Sequence, residues 1–176
     1  MFDLPPIKTT YKDPYVFLWK KICILAEQKH NAMLTKSTQY AIRALVYIQL
    51  QNDEQKRPGL AEIATEIEAP EAYTAKIMQI LTKHKLLSSI KGRGGGFFFT
   101  GKEPELSLYK VVEVMEGDSC FTSCAFGLST CSNGKPCPLH DKYGPIKEAF
   151  LKLAQEETIQ SLARKIEEGN AVINLL

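Results

Sequence analysis

The stretch from Leu60 to Thr100, LAEIATEIEAPEAYTAKIMQILTKHKLLSSIKGRGGGFFFT, decides the fold. Leu60, Ile63, Ala64 and Ile67 recur at helical spacing and mark a short helix. Glu68-Ala69-Pro70 breaks it, and Pro70 suits the first position of a new helix. Tyr73, Ile77, Ile80, Leu81 and His84 then line one side of a longer helix. Two such helices joined by a tight break outline a helix-turn-helix. Leu86 to Lys91, the turn Gly92-Arg93-Gly94-Gly95-Gly96, and Phe97 to Thr100 read as strand, turn and strand. A hairpin directly after the second helix of a helix-turn-helix is a wing.

Working upstream, Tyr40, Ala41, Ala44, Leu45 and Ile48 give Thr35 to Gln51 a helical stripe, with Thr35 or Ser37 able to cap it. Asn52 to Gly59 is a polar loop. Residues 33–102 are therefore expected to form a winged-helix DNA-binding domain. Residues 1–32 are loop-like at Pro5-Pro6 and Lys12-Asp13-Pro14, with a short helix over Val16 to Ala26. Two readings stay open for them: an N-terminal extension, or sequence upstream of a start at Met33.

Working downstream, Leu108, Val111, Val112 and Met115 place a connecting helix within residues 103–116. Periodicity then stops. Residues 117–141 form a loop rich in Cys, Gly, Ser and Pro, and loops of this length are usually functional. Ile146, Phe150 and Leu153 restore helical spacing in the segment 142–176, and Thr158 is placed to cap a last helix bearing Ile159, Leu162 and Ile166. The expected fold class is mainly α with a small β-hairpin wing.

The 176 residues, 44% hydrophobic and 24% charged, suffice for one compact domain with an appended module. The net charge of +2 is uninformative, but its distribution is not. Residues 69–102 hold six Lys or Arg against one acid, while residues 103–176 hold seven against eleven. One part of the chain is built to meet an anion. No stretch supplies the roughly 20 apolar residues of a membrane span. Val16 to Ala26 is interrupted by Lys20 and Lys21 and lacks the features of a signal peptide. A cytoplasmic protein without a membrane partner is expected.

In a helix-turn-helix the second helix enters the major groove. Here its polar face carries Glu71, Ala72, Ala75, Lys76, Gln79 and Lys83. Lys76 and Gln79 suit base edges, Lys83 and Lys85 suit phosphate, and Tyr73 near the helix start joins the DNA-facing set. Lys91 and Arg93 sit on a turn with almost no side-chain bulk, which suits a minor groove. A charged helix face alone is usually only a solvated face. The ordered combination with a basic wing points to double-stranded DNA. The glycines lack the G-x-G-x-x-G spacing of a nucleotide loop, and no GK[ST] follows.

Four of the five cysteines, Cys120, Cys124, Cys131 and Cys137, fall within eighteen residues, and His140 follows. In a reducing compartment such a cluster suits a metal or redox site better than disulfides. Thiolates and imidazole bind zinc or an iron–sulfur cluster. Structural zinc usually shows paired C-x2-4-C knuckles, and only Cys120 to Cys124 approaches one. The wider gaps suit ligands around a larger object. The bland alternative is a set of buried or free thiols, but a mostly polar loop offers them little apolar burial.

At this point the chain resembles the iron–sulfur winged-helix transcription regulators of the IscR and NsrR type. The likeness runs from Met33 to about Ile166. It is carried by Met33-Leu-Thr-Lys-Ser-Thr-Gln-Tyr40-Ala-Ile-Arg-Ala-Leu, by Leu86-Leu-Ser-Ser-Ile-Lys-Gly-Arg-Gly-Gly-Gly-Phe97, and by Cys124, Cys131 and Cys137 with the ending Cys137-Pro-Leu-His140. It favours Met33 as the start. The resemblance implies a homodimer, with the helix after the cysteine loop as the dimerisation helix. It also implies a cluster on Cys124, Cys131 and Cys137, [2Fe–2S] in preference to [4Fe–4S], with zinc the lesser choice. In the IscR-like branch a His at the position of His140 is the fourth ligand; in the nitric-oxide-sensing branch it is an Asp of the partner's first helix. Gln39 stands at that Asp position here, so the IscR-like mode is expected. Two departures keep the fourth ligand open between His140 and Cys120: Cys120 is an additional thiol, and the gap from Cys124 to Cys131 is one residue longer than usual.

The expected function is a regulator whose DNA binding reports iron–sulfur, redox or nitric-oxide status. One rival keeps the winged helix and replaces the cluster by zinc or thiol-redox sensing. Another is a thiol redox enzyme or cluster carrier, which would need a low-pKa cysteine in a C-x-x-C pair. The chain has no such pair, and it is not expected to be an enzyme.

Overall fold

A computed structural model of the chain describes residues 34–102 and 104–173. The expectations for residues 1–32 and for Met33 lie outside them. Helix α1 spans Lys36–Asp53, α2 Leu60–Glu66 and α3 Glu71–Lys83. Strands β1 (Ser88–Ile90) and β2 (Gly96–Phe98) follow, then α4 (Leu108–Glu116), α5 (Ser119–Thr122), α6 (His140–Glu156) and α7 (Ile159–Glu167). From Lys36 onward the described residues form one compact unit.

Helix α1 is the hub. Its fully buried Ala41, Ala44, Leu45 and Ile48 meet Ile63 and Ile67 around α2, Ile77, Met78 and Leu81 of α3, Val111 of α4, and Ile159 and Ala163 of α7. Complete burial of a side chain such as Leu45 contributes about 2–3 kcal/mol. The two small alanines of α1 leave room for close helix packing there.

Helix α2 ends as Glu68 enters the left-handed region at φ 53° and Ala69 N–H donates to the carbonyl of Ala64 at 3.0 Å. Pro70 sits one place earlier than expected: it caps α3, which opens at Glu71. The buried stripe of α3 is Thr74, Ile77, Met78 and Leu81. It is rotated from the expected stripe, because Tyr73, Ile80 and His84 are exposed. The short Thr74 fits inside because its hydroxyl donates to the Pro70 carbonyl at 3.1 Å.

The hairpin is antiparallel, with Ser89 opposite Phe97. Its strands are shorter than expected, since pairing runs only from Ser88–Phe98 to Ile90–Gly96; Leu86, Leu87, Lys91, Phe99 and Thr100 fall outside it, and Gly96 of the expected turn joins β2. The side-chain oxygen of Asn52, on α1, accepts from the Phe99 N–H at 2.8 Å and so ties the wing to the hub.

Two backbone bonds clamp α4 to α7: Leu108 N–H to the Glu157 carbonyl at 2.8 Å, and Ile159 N–H to the Leu106 carbonyl at 2.8 Å. Thr158 caps α7 as expected, accepting from Ser161 N–H at 2.9 Å and donating to Glu105 at 2.7 Å. Thr158→Ala removes the cap and is expected to cost about 1.5 kcal/mol. Thermal melts should register this as a fall of roughly 5 °C; an unchanged melting temperature would show that water replaces the cap without loss.

Candidate DNA interface and cysteine site

The α2–α3 unit leaves one face of α3 free. Lys76, Gln79 and Lys83 are exposed there beside Tyr73 and Ile80. The Tyr73 ring packs edge-on against Tyr40 of α1 at 5.9 Å between centroids, which steadies it near the start of the helix. Ile80, expected on the apolar side of the helix, is 38% exposed and adds an apolar patch to this face. At the wing, Lys91 and Arg93 are exposed on the turn, where Gly92 and Gly94 take φ of 95° and 74°. A cation overlooked from sequence joins them: the Arg57 guanidinium lies 4.5 Å from the centroid of the Phe98 ring. Its segment is distant in sequence and reaches the wing only through the tertiary fold.

The cysteine segment is a succession of tight turns, each anchored on a ligand-type residue. The Cys124 carbonyl accepts from Gly127 N–H at 2.8 Å, Cys131 N–H donates to the Leu128 carbonyl at 3.5 Å, and the Cys137 carbonyl accepts from His140 N–H at 2.9 Å. The turns bring distant cysteines together. The sulfurs of Cys124, Cys131 and Cys137 all lie within 4.8 Å of one another, and those of Cys124 and Cys137 are 3.5 Å apart. His140 opens α6, two residues earlier than the spacing predicts, and its Nδ1 is 3.2 Å from the Cys131 sulfur. Its Nε2 is 2.9 Å from Oδ1 of Asn133. Cys124, Cys131, Cys137 and His140 line a cavity of about 340 Å³ that also meets Tyr143 and Lys147.

Cys120 is not one of the three gathered sulfurs. It lies on α5, and burial, then Glu116, push its thiol up. Burial also pushes the Cys137 thiol up, with its neighbouring thiols adding to this. Burial opposes ionisation of Cys124 as well, but hydrogen bonds from the backbone of Leu128 and Phe126 and from Cys137 and Cys131 outweigh it. The Cys124 thiol comes down to about 7.

The loop is wedged into the helices by a ring stack. Phe121 of α5 lies between Tyr109 of α4 and Phe150 of α6, at 5.0 and 5.3 Å between centroids. Lys147 Nζ donates to the Thr122 carbonyl at 3.1 Å and braces the same junction.

Three helices, a basic wing and a long helix set off by a thiol-lined loop define a winged-helix transcription regulator. The family described as "Rrf2: Iron-dependent Transcriptional regulator" matches residues 34–165, and the chain belongs to the Rrf2 family. Over 143 residues it is 28% identical to the HTH-type transcriptional regulator NsrR of Oceanobacillus iheyensis, spanning 81% of this chain and 97% of that one. Among solved structures it is similar in fold to CymR (YrzC), the global cysteine regulator of B. subtilis. That match has a TM-score of 0.61 and 20% identity over 74% of this chain and 95% of CymR. IscR of T. potens gives the same TM-score of 0.61 at 17% identity, over 81% of this chain and 93% of that one. The relatives are regulators, and this chain is a regulator rather than an enzyme. Among the described residues, no helix is long and apolar enough to cross a membrane.

Proposed function

We propose that the chain is a cytoplasmic DNA-binding homodimer that senses iron–sulfur, redox or nitric-oxide status through a cluster on Cys124, Cys131, Cys137 and His140. The observation that carries this reading is the convergence of donors: the Cys124, Cys131 and Cys137 sulfurs lie within 4.8 Å of one another, and His140 Nδ1 is 3.2 Å from the Cys131 sulfur. The preference for [2Fe–2S] over [4Fe–4S] comes from the resemblance to IscR-type regulators. Soft thiolates completed by imidazole also suit such a cluster chemically. When bound, the cluster supplies reversible electron transfer and reactivity toward oxidants and nitric oxide.

The chain's own residues turn the state of the loop into a change in DNA binding. Tyr73, Lys76 and Gln79 face the major groove, Lys83 meets phosphate, and Lys91 and Arg93 enter the minor groove. Phe121, held between Tyr109 and Phe150, transmits the position of the loop to α4 and α6. The spacing of the two recognition helices in the dimer follows. A coupling of about 1–3 kcal/mol changes DNA affinity roughly 5–150-fold.

Anaerobically purified protein is expected to contain iron and sulfide in near-equal amounts, with visible absorption bands that shift or bleach in His140→Ala. Fluorescence anisotropy on promoter DNA should separate the cluster-loaded and cluster-free forms by the factor above. Equal affinities would sink the sensing mechanism. Zinc in place of iron would replace the cluster by a metal held on the same three thiols and imidazole.

A further inference from the structure

We propose that Asn133 sets the tautomer of His140 and so presents the Nδ1 lone pair to the thiol site. The proposal rests on His140 as the fourth ligand and assigns a positioning residue to it. Asn133 and Gly134 form the tip of a two-residue turn. Ser132 N–H donates to the Lys135 carbonyl at 3.3 Å, and Lys135 N–H returns to the Ser132 carbonyl at 3.0 Å. The turn lies between Cys131 and Cys137, so the contacts that gather the thiols also hold the Asn133 amide in place.

The His140 ring is held at both nitrogens, with Asn133 Oδ1 2.9 Å from Nε2 and the Cys131 sulfur 3.2 Å from Nδ1. An amide oxygen only accepts, so this contact requires the proton on Nε2. A neutral imidazole carries a single N–H. Nδ1 is then bare and directed at Cys131, as a ligand nitrogen must be. Reversing the Asn133 amide would put its NH₂ against a bare Nε2. The proton would then lie on Nδ1, and the ring could not ligate through that atom. The two arrangements make opposite predictions.

The test uses the full-length, reduced, metal-free protein labelled with ¹⁵N-histidine, at about pH 8, above the ordinary imidazole pKa of about 6.5. Long-range ¹H–¹⁵N correlation reads the tautomer. The chain has three histidines, and His140→Gln assigns the signal. The wild type is expected to show a protonated Nε2 and a bare Nδ1. Asn133→Ala should raise the share of the Nδ1–H form, and Asn133→Asp, which also accepts, should restore the wild-type pattern. Cobalt(II) titration of the same proteins should give about 10–100-fold weaker binding for Asn133→Ala, with recovery in Asn133→Asp. A proton on Nδ1 in the wild type, or an unchanged tautomer in Asn133→Ala, would overturn the proposal. Cobalt affinity insensitive to His140→Gln, with the tautomer shift intact, would support the tautomer assignment and overturn the ligand reading instead.

Discussion

The double variant Ile146→Glu/Leu153→Glu is expected to sediment as a monomer and to lose about 10²–10⁴-fold in DNA affinity. Ile146 and Leu153 lie seven residues apart on α6 and are 50% and 49% exposed. Ala149 between them is exposed too, and Ala154 is the helix's one fully buried residue. A two-turn apolar stripe of this kind is unstable against water unless a second surface covers it. The stripe continues toward Leu139, and the neighbouring cysteine loop adds Phe126 at 56% exposure. In a two-fold dimer the same stripe meets itself, so each Glu would place like charges in an apolar contact. The affinity loss follows because a monomer contacts one half-site, and linked half-sites gain by about that factor. Both side chains are half exposed in the protomer, so its own fold should survive, with unchanged far-ultraviolet circular dichroism. Wild-type mass for the double variant would show that α6 does not carry the dimer.

Gly96→Ala should strongly destabilise the wing. Gly96 opens β2 at φ 147°, where L residues are strained. A Cβ there would lie 2.3 Å from the Arg57 carbonyl oxygen and 2.8 Å from that of Pro58. Both are backbone atoms and cannot rotate away. Retreat is blocked, since Phe97 N–H donates to Pro58 at 3.1 Å and Phe99 N–H to Asn52 at 2.8 Å. Strain and overpacking together should cost about 3 kcal/mol, or roughly 10 °C in melting temperature. DNA affinity should fall with the wing displaced. Gly94→Ala is the control: its φ of 74° costs about 1 kcal/mol, but nothing lies within 4 Å of the added carbon. Equal melting temperatures for the two variants would show that the segment before α2 yields.

Much of the fold was legible because its signals are local. The order of three helices, hairpin, helix and cysteine loop follows from hydrophobic period, Pro70 and the glycine run, which act within a few residues of themselves. The face of α3 was less legible. Spacing puts Tyr73 and Ile80 on the apolar side of the helix, although Tyr73 also joins the DNA-facing set; the fold buries Thr74 and Met78 instead. A threonine that bonds its own backbone can enter the core, while the Tyr73 ring packs edge-on against Tyr40 and stays partly exposed.

The cysteine site divides the same way. The soft donor types and the long loop that carries them lie in the residues themselves. Which of the donors converge does not. Cys124 and Cys137 are thirteen residues apart and meet because successive turns fold the loop back on itself. Cys120, nearest to Cys124 in sequence, stays on α5, where Phe121 pins it into the helix stack. Asn133 carries no ligand signature, and Arg57 belongs to a different segment from the wing it covers. By itself, then, the sequence determined the winged-helix class, the basic face and the identity of the soft donors, because these depend on residue chemistry and short-range period. Only the tertiary structure decided which sulfurs converge, which ring nitrogen faces them and which face of α6 is left apolar and uncovered. Those depend on loop closure and packing between residues far apart along the chain.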